Sequence, residues 1–153
     1  MEIRLATPDD IEAICQLYGE FWRYNADLQP MSYKAATESG GYPKSAIGSE
    51  NSDIFLAVEN KTIVGFLHIR ESQTPPFDAI IQHKYAEIID LMTTAAYRKR
   101  GIGTKLMNAA KRWAKTRNLD YIELFVLSDA KSEFRFYEQK NFVTVSHTMR
   151  CTL

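Results

Sequence analysis

Three basic residues and two glycines stand together at Arg98-Lys99-Arg100-Gly101-Ile102-Gly103, followed by Thr104. Their chemistry depends on what flanks them. Upstream, Glu87-Ile88-Ile89-Asp90-Leu91-Met92-Thr93 is apolar and β-branched enough for a strand. Downstream, Ile102, Leu106, Ala109, Ala110, Trp113 and Ala114 recur at helical spacing. The glycines therefore mark a strand-to-helix junction. The first amides of a helix lack internal partners, and the helix dipole makes that end positive. Glycines let a large anion approach the backbone, and the basic side chains add charge. The combination suits a phosphate or pyrophosphate. A P-loop would need Gly-Lys-Ser/Thr after four intervening residues, and that is absent. A dinucleotide fingerprint would need a third glycine where Leu106 stands.

What remains is Arg-x-x-Gly-x-Gly. Here the chain resembles the GNAT superfamily of acyl-CoA N-acyltransferases, whose pyrophosphate signature is Gln/Arg-x-x-Gly-x-Gly/Ala at such a junction. The wider stretch YRKRGIGTKL, from Tyr97 to Leu106, resembles that family too. The resemblance implies that acetyl-CoA is the acyl donor, held by Arg98, Lys99, Arg100, Gly101, Ile102, Gly103 and Thr104. It also implies a gap between the strands on either side of the pyrophosphate helix. The pantetheine arm would lie there against the backbone of Leu91, Met92 and Thr93.

The same resemblance extends to Phe134-Arg135-Phe136-Tyr137-Glu138-Gln139-Lys140-Asn141-Phe142. It is similar to the family segment Phe-Tyr-Glu-Lys-x-Gly-Phe, whose tyrosine sits near the thioester sulfur. A phenol with a pKa of about 10 stays protonated at neutral pH and can donate to a departing thiolate. Tyr137 is thereby implied as the catalytic proton donor. Asn141 replaces the family's glycine, and Ala130 and Glu133 stand where Asn and Ala are common. Any cofactor contact made by that asparagine is missing or replaced. Glu87, eleven residues before Arg98, matches the strand glutamate that several subfamilies use as general base. Asp90 faces the opposite way in a regular strand, although a bulge would change that. Glu123 and His83 are further candidates.

The elements that must position these residues follow from pattern. Ile3 and Leu5 alternate with charged residues in a short first strand. Thr7-Pro8-Asp9-Asp10 is a helix start. Ile11, Ile14, Cys15, Leu17, Tyr18 and Phe21 mark its apolar face, and Asn25 to Pro30 breaks it. A weaker helix is expected over Ser32–Ser39, then a Gly-Gly-Tyr-Pro turn. Asp53–Glu59 and Thr62–Glu71 form a hairpin about Asn60-Lys61. Ser72–Asp78 is a loop, and Ile80–Thr93 a long strand. A helix spans 101–117. Tyr121–Leu127 is apolar enough for a central strand, apart from Glu123. A helix from about 130 to 140 and a last strand over Phe142–Thr152 complete the chain.

The order β-α-α-β-β-β-α-β-α-β predicts an α/β fold. The resemblance makes it a GNAT-type mixed, mostly antiparallel central sheet with helices on both faces, in one acyl-CoA N-acyltransferase domain over residues 1–153. Of 153 residues, 45% are hydrophobic and 25% charged, which fits an ordinary globular core. Lys plus Arg and Asp plus Glu both number 19, so a general nucleic-acid or anionic-membrane role gains no support. No long apolar run suggests a membrane span, and the N-terminus lacks a signal pattern. The two cysteines and three histidines show no metal-ligand spacing. A reducing cytoplasm is the simplest expectation.

The expected activity is acetyl transfer from acetyl-CoA to a primary amine of a small molecule or peptide, by direct attack in a ternary complex. Phe21, Trp22 and Tyr24, with Tyr33 and Tyr42, are candidates for an acceptor pocket, helix packing being the competing reading for Phe21. A non-catalytic acyl-CoA sensor, or another acyl group or acceptor, remains the alternative. The oligomeric state is open, a homodimer included.

Overall fold

The computed structural model describes residues 1–38 and 41–153. Its strands are β1 (Glu2–Leu5), β2 (Ser52–Glu59), β3 (Thr62–Gln73), β4 (Lys84–Thr93) and β5 (Ile122–Leu124). Its helices are α1 (Ile11–Leu28), α2 (Gly41–Ala46), α3 (Ile102–Thr116) and α4 (Lys131–Glu138). The strands form one sheet in chain order, antiparallel except for the parallel β4–β5 pair. The β2–β3 turn is Asn60-Lys61, both with positive φ, which is the twist that a two-residue hairpin requires.

Each face of the sheet has its own core. Ile14, Leu17 and Tyr18 of α1 recur at helical spacing and pack with Ala46 of α2 on Ile54, Leu56, Phe66 and Met92. On the other face Ile102, Leu106, Ala110 and Trp113 of α3 cover Leu67, Ile69, Ala86 and Ile88. Phe136 and Tyr137 of α4 flank that second cluster.

Several boundaries differ from the sequence reading. Helix α1 runs through Asn25, which is buried on its inner side, and stops at Leu28. The chain is turned out of helix by Pro30, which disfavours helical backbone at Gln29. The helix expected over Ser32–Ser39 does not form across 33–38; Ser39 and Gly40 lie outside the described residues. Helix instead begins at Gly41 within the expected turn, where Pro43 and Ala46 are buried. Residues 80–83 belong to a loop closed by Thr74 N–H donating to His83 O at 3.1 Å, so β4 starts only at Lys84. β5 is an edge strand among the described residues rather than a central one. The last strand expected over Phe142–Thr152 does not form. With a ladder on one side only, regular strand in 121–127 shrinks to Ile122–Leu124.

Candidate active site

The site is built where β4 and β5 part. Their register runs Ala86↔Ile122, Glu87↔Glu123, Ile88↔Leu124 and then stops. Beyond it residues 89–93 and 125–127 are the two walls of a cavity of about 650 Å³. A bulge marks the parting. On β3, His68 pairs with Asp90 and Ile69 with Ile88, so Ile89 is an extra residue. That insertion reverses the side-chain alternation between 88 and 90 and turns Asp90 to the same face as Glu87.

The bulge decides which carboxylate meets the cavity. Asp90 lines it from beneath α1, with the Tyr18 hydroxyl donating to Oδ2 at 2.8 Å. Burial pushes the Asp90 pKa up to about 6, with hydrogen bonds from Tyr18 and Tyr42 holding it from going higher. Behind it the Tyr42 hydroxyl lies 2.9 Å from His68 Nδ1, and Ser52 Oγ lies 2.8 Å from His68 Nε2. Glu87 lies nearer the start of β4 and does not line the cavity. Its Oε2 accepts from Arg70 Nε at 2.8 Å and Ser72 Oγ at 2.9 Å. Glu123 is exposed on β5, and His83 pairs with Asp120 at 2.8 Å; neither lines the cavity.

At one end the cavity meets the loop before α3. Lys99 and Gly101 have φ of 61° and 78°. Left-handed backbone at two such positions wraps the chain tightly, and at Gly101 only glycine adopts it without strain. The first α-helical bond of α3 is Lys105 N–H to Gly101 O at 3.1 Å, so the amides of Ile102, Gly103 and Thr104 precede it. At Gly103 a Cβ would stand 3.3 Å from Phe136 Cζ, so glycine keeps α3 close to α4. Backbone amides, a positive helix end and Lys99 form a donor set that fits a pyrophosphate. Arg98 lines the cavity too, with Nε donating to Thr93 O at 3.1 Å and its guanidinium 4.9 Å from the Tyr24 ring centre. Arg100 does not: it lies over Tyr97 and 3.9 Å from Glu59.

Leu91, Met92, Thr93, Lys99, Gly101, Ile102, Gly103 and Thr104 all line the cavity, as does Tyr137. The Tyr137 ring packs edge-on against Phe136 and Phe142. Its hydroxyl has no hydrogen-bond partner among the described residues. Burial, then the charges of Glu133 and Asp90, hold its pKa above the ordinary phenol value. Trp22 and Tyr33 stack at 6.4 Å in the α1 wall; Tyr42 is drawn into the His68 network instead. Unforeseen were Tyr18 as the Asp90 partner and Glu20. The Glu20 carboxylate accepts from Thr94 Oγ1 at 2.7 Å and Ala95 N–H at 2.8 Å, pinning α1 to the end of β4. Polar residues on the apolar side of α1 were the available signal.

A phosphate cradle at one end of a strand gap, with a buried carboxyl and a protonated phenol farther in, is the layout of a group-transfer enzyme with a phosphate-bearing donor. The chain matches the acetyltransferase (GNAT) family over residues 11–142, and it belongs to that family. It is an N-acetyltransferase. An uncharacterized N-acetyltransferase from Archaeoglobus fulgidus is 29% identical over 141 residues, covering 92% of each chain. A solved point mutant of the BH1408 protein from Bacillus halodurans superimposes with a TM-score of 0.95 at 25% identity, covering 100% of this chain and 99% of that one. Aminoglycoside N-acetyltransferase AAC(6')-Iy in complex with CoA shares the fold, with a TM-score of 0.76 at 12% identity over 99% of this chain and 93% of that one.

Proposed function

We propose that the protein transfers an acetyl group from acetyl-CoA to a primary amine of a small molecule or peptide, by direct attack in a ternary complex. The observation that carries this is the single cavity joining the 98–104 loop to Asp90 and Tyr137. When bound, acetyl-CoA supplies a thioester carbonyl open to attack by nitrogen. Arg98, Lys99 and the amides from Gly101 to Thr104 hold its pyrophosphate, with Arg100 adding charge from outside the cavity. The backbone of Leu91, Met92 and Thr93, left unpaired on the β5 side, holds the amide-bearing arm.

An alkylammonium ion cannot attack until it loses a proton. Asp90 is the base we favour over Glu87. Its carboxyl reaches the cavity and is mostly ionised at neutral pH, whereas the Glu87 carboxylate is engaged by Arg70 and Ser72. Tyr137, protonated throughout the neutral range, returns a proton to the departing thiolate. Phe21, Trp22 and Tyr33 form the apolar acceptor wall and exclude water. The sparse cysteine content supports a cytoplasmic location.

The test is thiol release from acetyl-CoA with a panel of small amines and amine-bearing peptides, with products weighed by mass spectrometry. Amine-dependent release and a product heavier by one acetyl group are expected. Binding of acetyl-CoA without turnover on any amine would instead make the protein a sensor.

A further inference from the structure

His68 lies in the middle of β3, 4% exposed, with both ring nitrogens engaged. Ser52 Oγ on β2 stands 2.8 Å from Nε2, and the Tyr42 hydroxyl on α2 stands 2.9 Å from Nδ1. The Tyr42 hydroxyl is also within hydrogen-bond reach of Asp90 and Tyr18. Tyr18 gives its own proton to Asp90 Oδ2 at 2.8 Å. A continuous polar chain thus runs from Ser52 through His68 and Tyr42 to the carboxyl that faces the cavity. Burial, aided by the Arg70 charge, keeps the imidazole neutral above about pH 4, so the ring has one N–H and one bare nitrogen.

Each hydroxyl in the chain has one proton and more than one claimant. Ser52 can donate to His68 Nε2 at 2.8 Å or to Ile69 O at 3.2 Å. Tyr42 can donate to His68 Nδ1 or to Asp90. Two arrangements satisfy the neutral ring. In one, Tyr42 donates to a bare Nδ1, Nε2–H donates to Ser52, and Ser52 donates to Ile69 O. Asp90 then keeps Tyr18 as its one tyrosine donor. In the other, Ser52 donates to a bare Nε2, Nδ1–H donates to the Tyr42 oxygen, and Tyr42 donates to Asp90. A buried carboxylate selects the second. Hydrogen bonds to an ionised acceptor are about twice as strong as neutral ones, and aligned bonds polarise one another. The shorter of the two Ser52 contacts, the one to Nε2, has the same sense. Of the other groups that face the chain, Arg70 and Glu87 are ion-paired at 2.7 Å, and Tyr137 of α4 stays protonated.

We propose that Ser52 and His68 are positioning residues: Ser52 fixes His68 as the Nδ1–H tautomer, which keeps the Tyr42 hydroxyl proton directed at the Asp90 carboxylate. With two tyrosine donors the carboxylate is held in one orientation, and it ionises at a lower pH than burial alone would allow. As a role in catalysis this rests on the reading of Asp90 as the base; the direction of the donor chain does not.

Nitrogen NMR of the imidazoles and carbon NMR of the Asp90 carboxyl, both on the protein without substrate, test this apart from turnover. At pH 7.5 His68 should show a protonated Nδ1 and a bare Nε2. Tyr42→Phe keeps the ring against Tyr18 and removes the hydroxyl. His68 should then change to the Nε2–H tautomer, because a buried N–H without an acceptor is the costlier orphan. The Asp90 midpoint should rise by about one pH unit, the effect of losing a hydrogen bond to the charged form. With a working amine, Tyr42→Phe should slow turnover about fivefold at pH 6 and little at pH 8, a pH dependence that lost packing does not produce. A native His68 in the Nε2–H form at pH 7.5 would overturn the inference, as would a tautomer or an Asp90 midpoint that Tyr42→Phe leaves unchanged. Should tautomer and midpoint behave as expected while the rate profile keeps its native limb, the donor chain stands and Asp90 as the base falls.

Discussion

A carboxyl and a phenol that both hold their protons more tightly than usual face the same cavity, and the two perturbations act differently. For Asp90 the cause is chiefly burial, which leaves a base that ionises at about 6, within the working range of an enzyme. The native rate should therefore rise with pH through about 6. Asp90→Asn keeps a group to accept from Tyr18 but removes the base. Turnover at neutral pH should fall about 100-fold, and the limb near pH 6 should vanish. The same variant should be more stable. A carboxyl with a raised folded pKa stabilises the fold when protonated and loses that contribution as pH rises through about 6. At pH 7.5 the neutral amide avoids a penalty of about 3 kcal/mol. Denaturant melts and pH–rate profiles check both, and an active Asp90→Asn with the native profile would return attention to Glu87. The Tyr137 hydroxyl has no protein partner among the described residues, so Tyr137→Phe leaves none unsatisfied and keeps the ring packing. It should preserve the melting temperature and acetyl-CoA affinity while slowing turnover by about tenfold or more. Unchanged turnover with a competent amine would reduce Tyr137 to packing.

At the scale of elements, the contact that matters is the N-terminus of α3 against α4. Gly103 lets the Phe136 ring approach within the space a Cβ would need, while its amide stays among those offered to a phosphate. Gly103→Glu puts bulk against Phe136 and negative charge beside the cradle. It should abolish the rise in melting temperature that acetyl-CoA gives the native protein, a rise whose size follows ligand excess over the dissociation constant. A folded Gly103→Glu protein with the full shift would refute the cradle. Near the start of α1, Asp10 accepts from both Arg4 guanidinium nitrogens at 2.7 Å and from Thr7 N–H at 2.8 Å. It thereby joins β1 to the helix start by charge-assisted bonds, the stronger kind.

Across the whole molecule, three buried or paired groups set the response of stability to pH. The hydrogen bond from Arg4 holds the Asp10 pKa well below the carboxylate range, so its stabilisation is present above about 4 and lost as pH falls further. Burial, aided by the Arg70 charge, lowers the His68 pKa to about 4. The unfolded chain then takes up a proton there below about 6.5 that the folded chain refuses, and stability falls with pH between 6.5 and 4. Asp90 acts in the opposite sense over nearly the same window. The two effects are of similar size, so the denaturant midpoint should change little from pH 6.5 to 4 and drop steeply below. Replacing His68 with Gln should unmask Asp90 and make the protein more stable at pH 5 than at 7.5. A native midpoint that falls continuously from pH 7 would contradict this balance.

The glycine motif and its neighbouring strand and helix were legible in the sequence because they depend on local rules. Left-handed backbone selects Gly101, helical periodicity selects the inner face of α3, and both act over a few residues. The resemblance of Phe134–Phe142 to a family segment likewise pointed to Tyr137, which the fold brings to the cavity. What the sequence left open was everything that one strand learns from another. The bulge at Ile89 exists only in the pairing of β4 with β3, and it alone puts Asp90 on the cavity side with Tyr18 beneath α1. Glu87 has the expected spacing from Arg98, yet Arg70 across the ladder takes its carboxylate. Residues 121–127 and 142–152 carry strand sequences, but a strand is completed by partners, and among the described residues these two segments form no ladder with each other. Side-chain type and local spacing are properties of the chain; register, face and partner are decided only when distant segments pack.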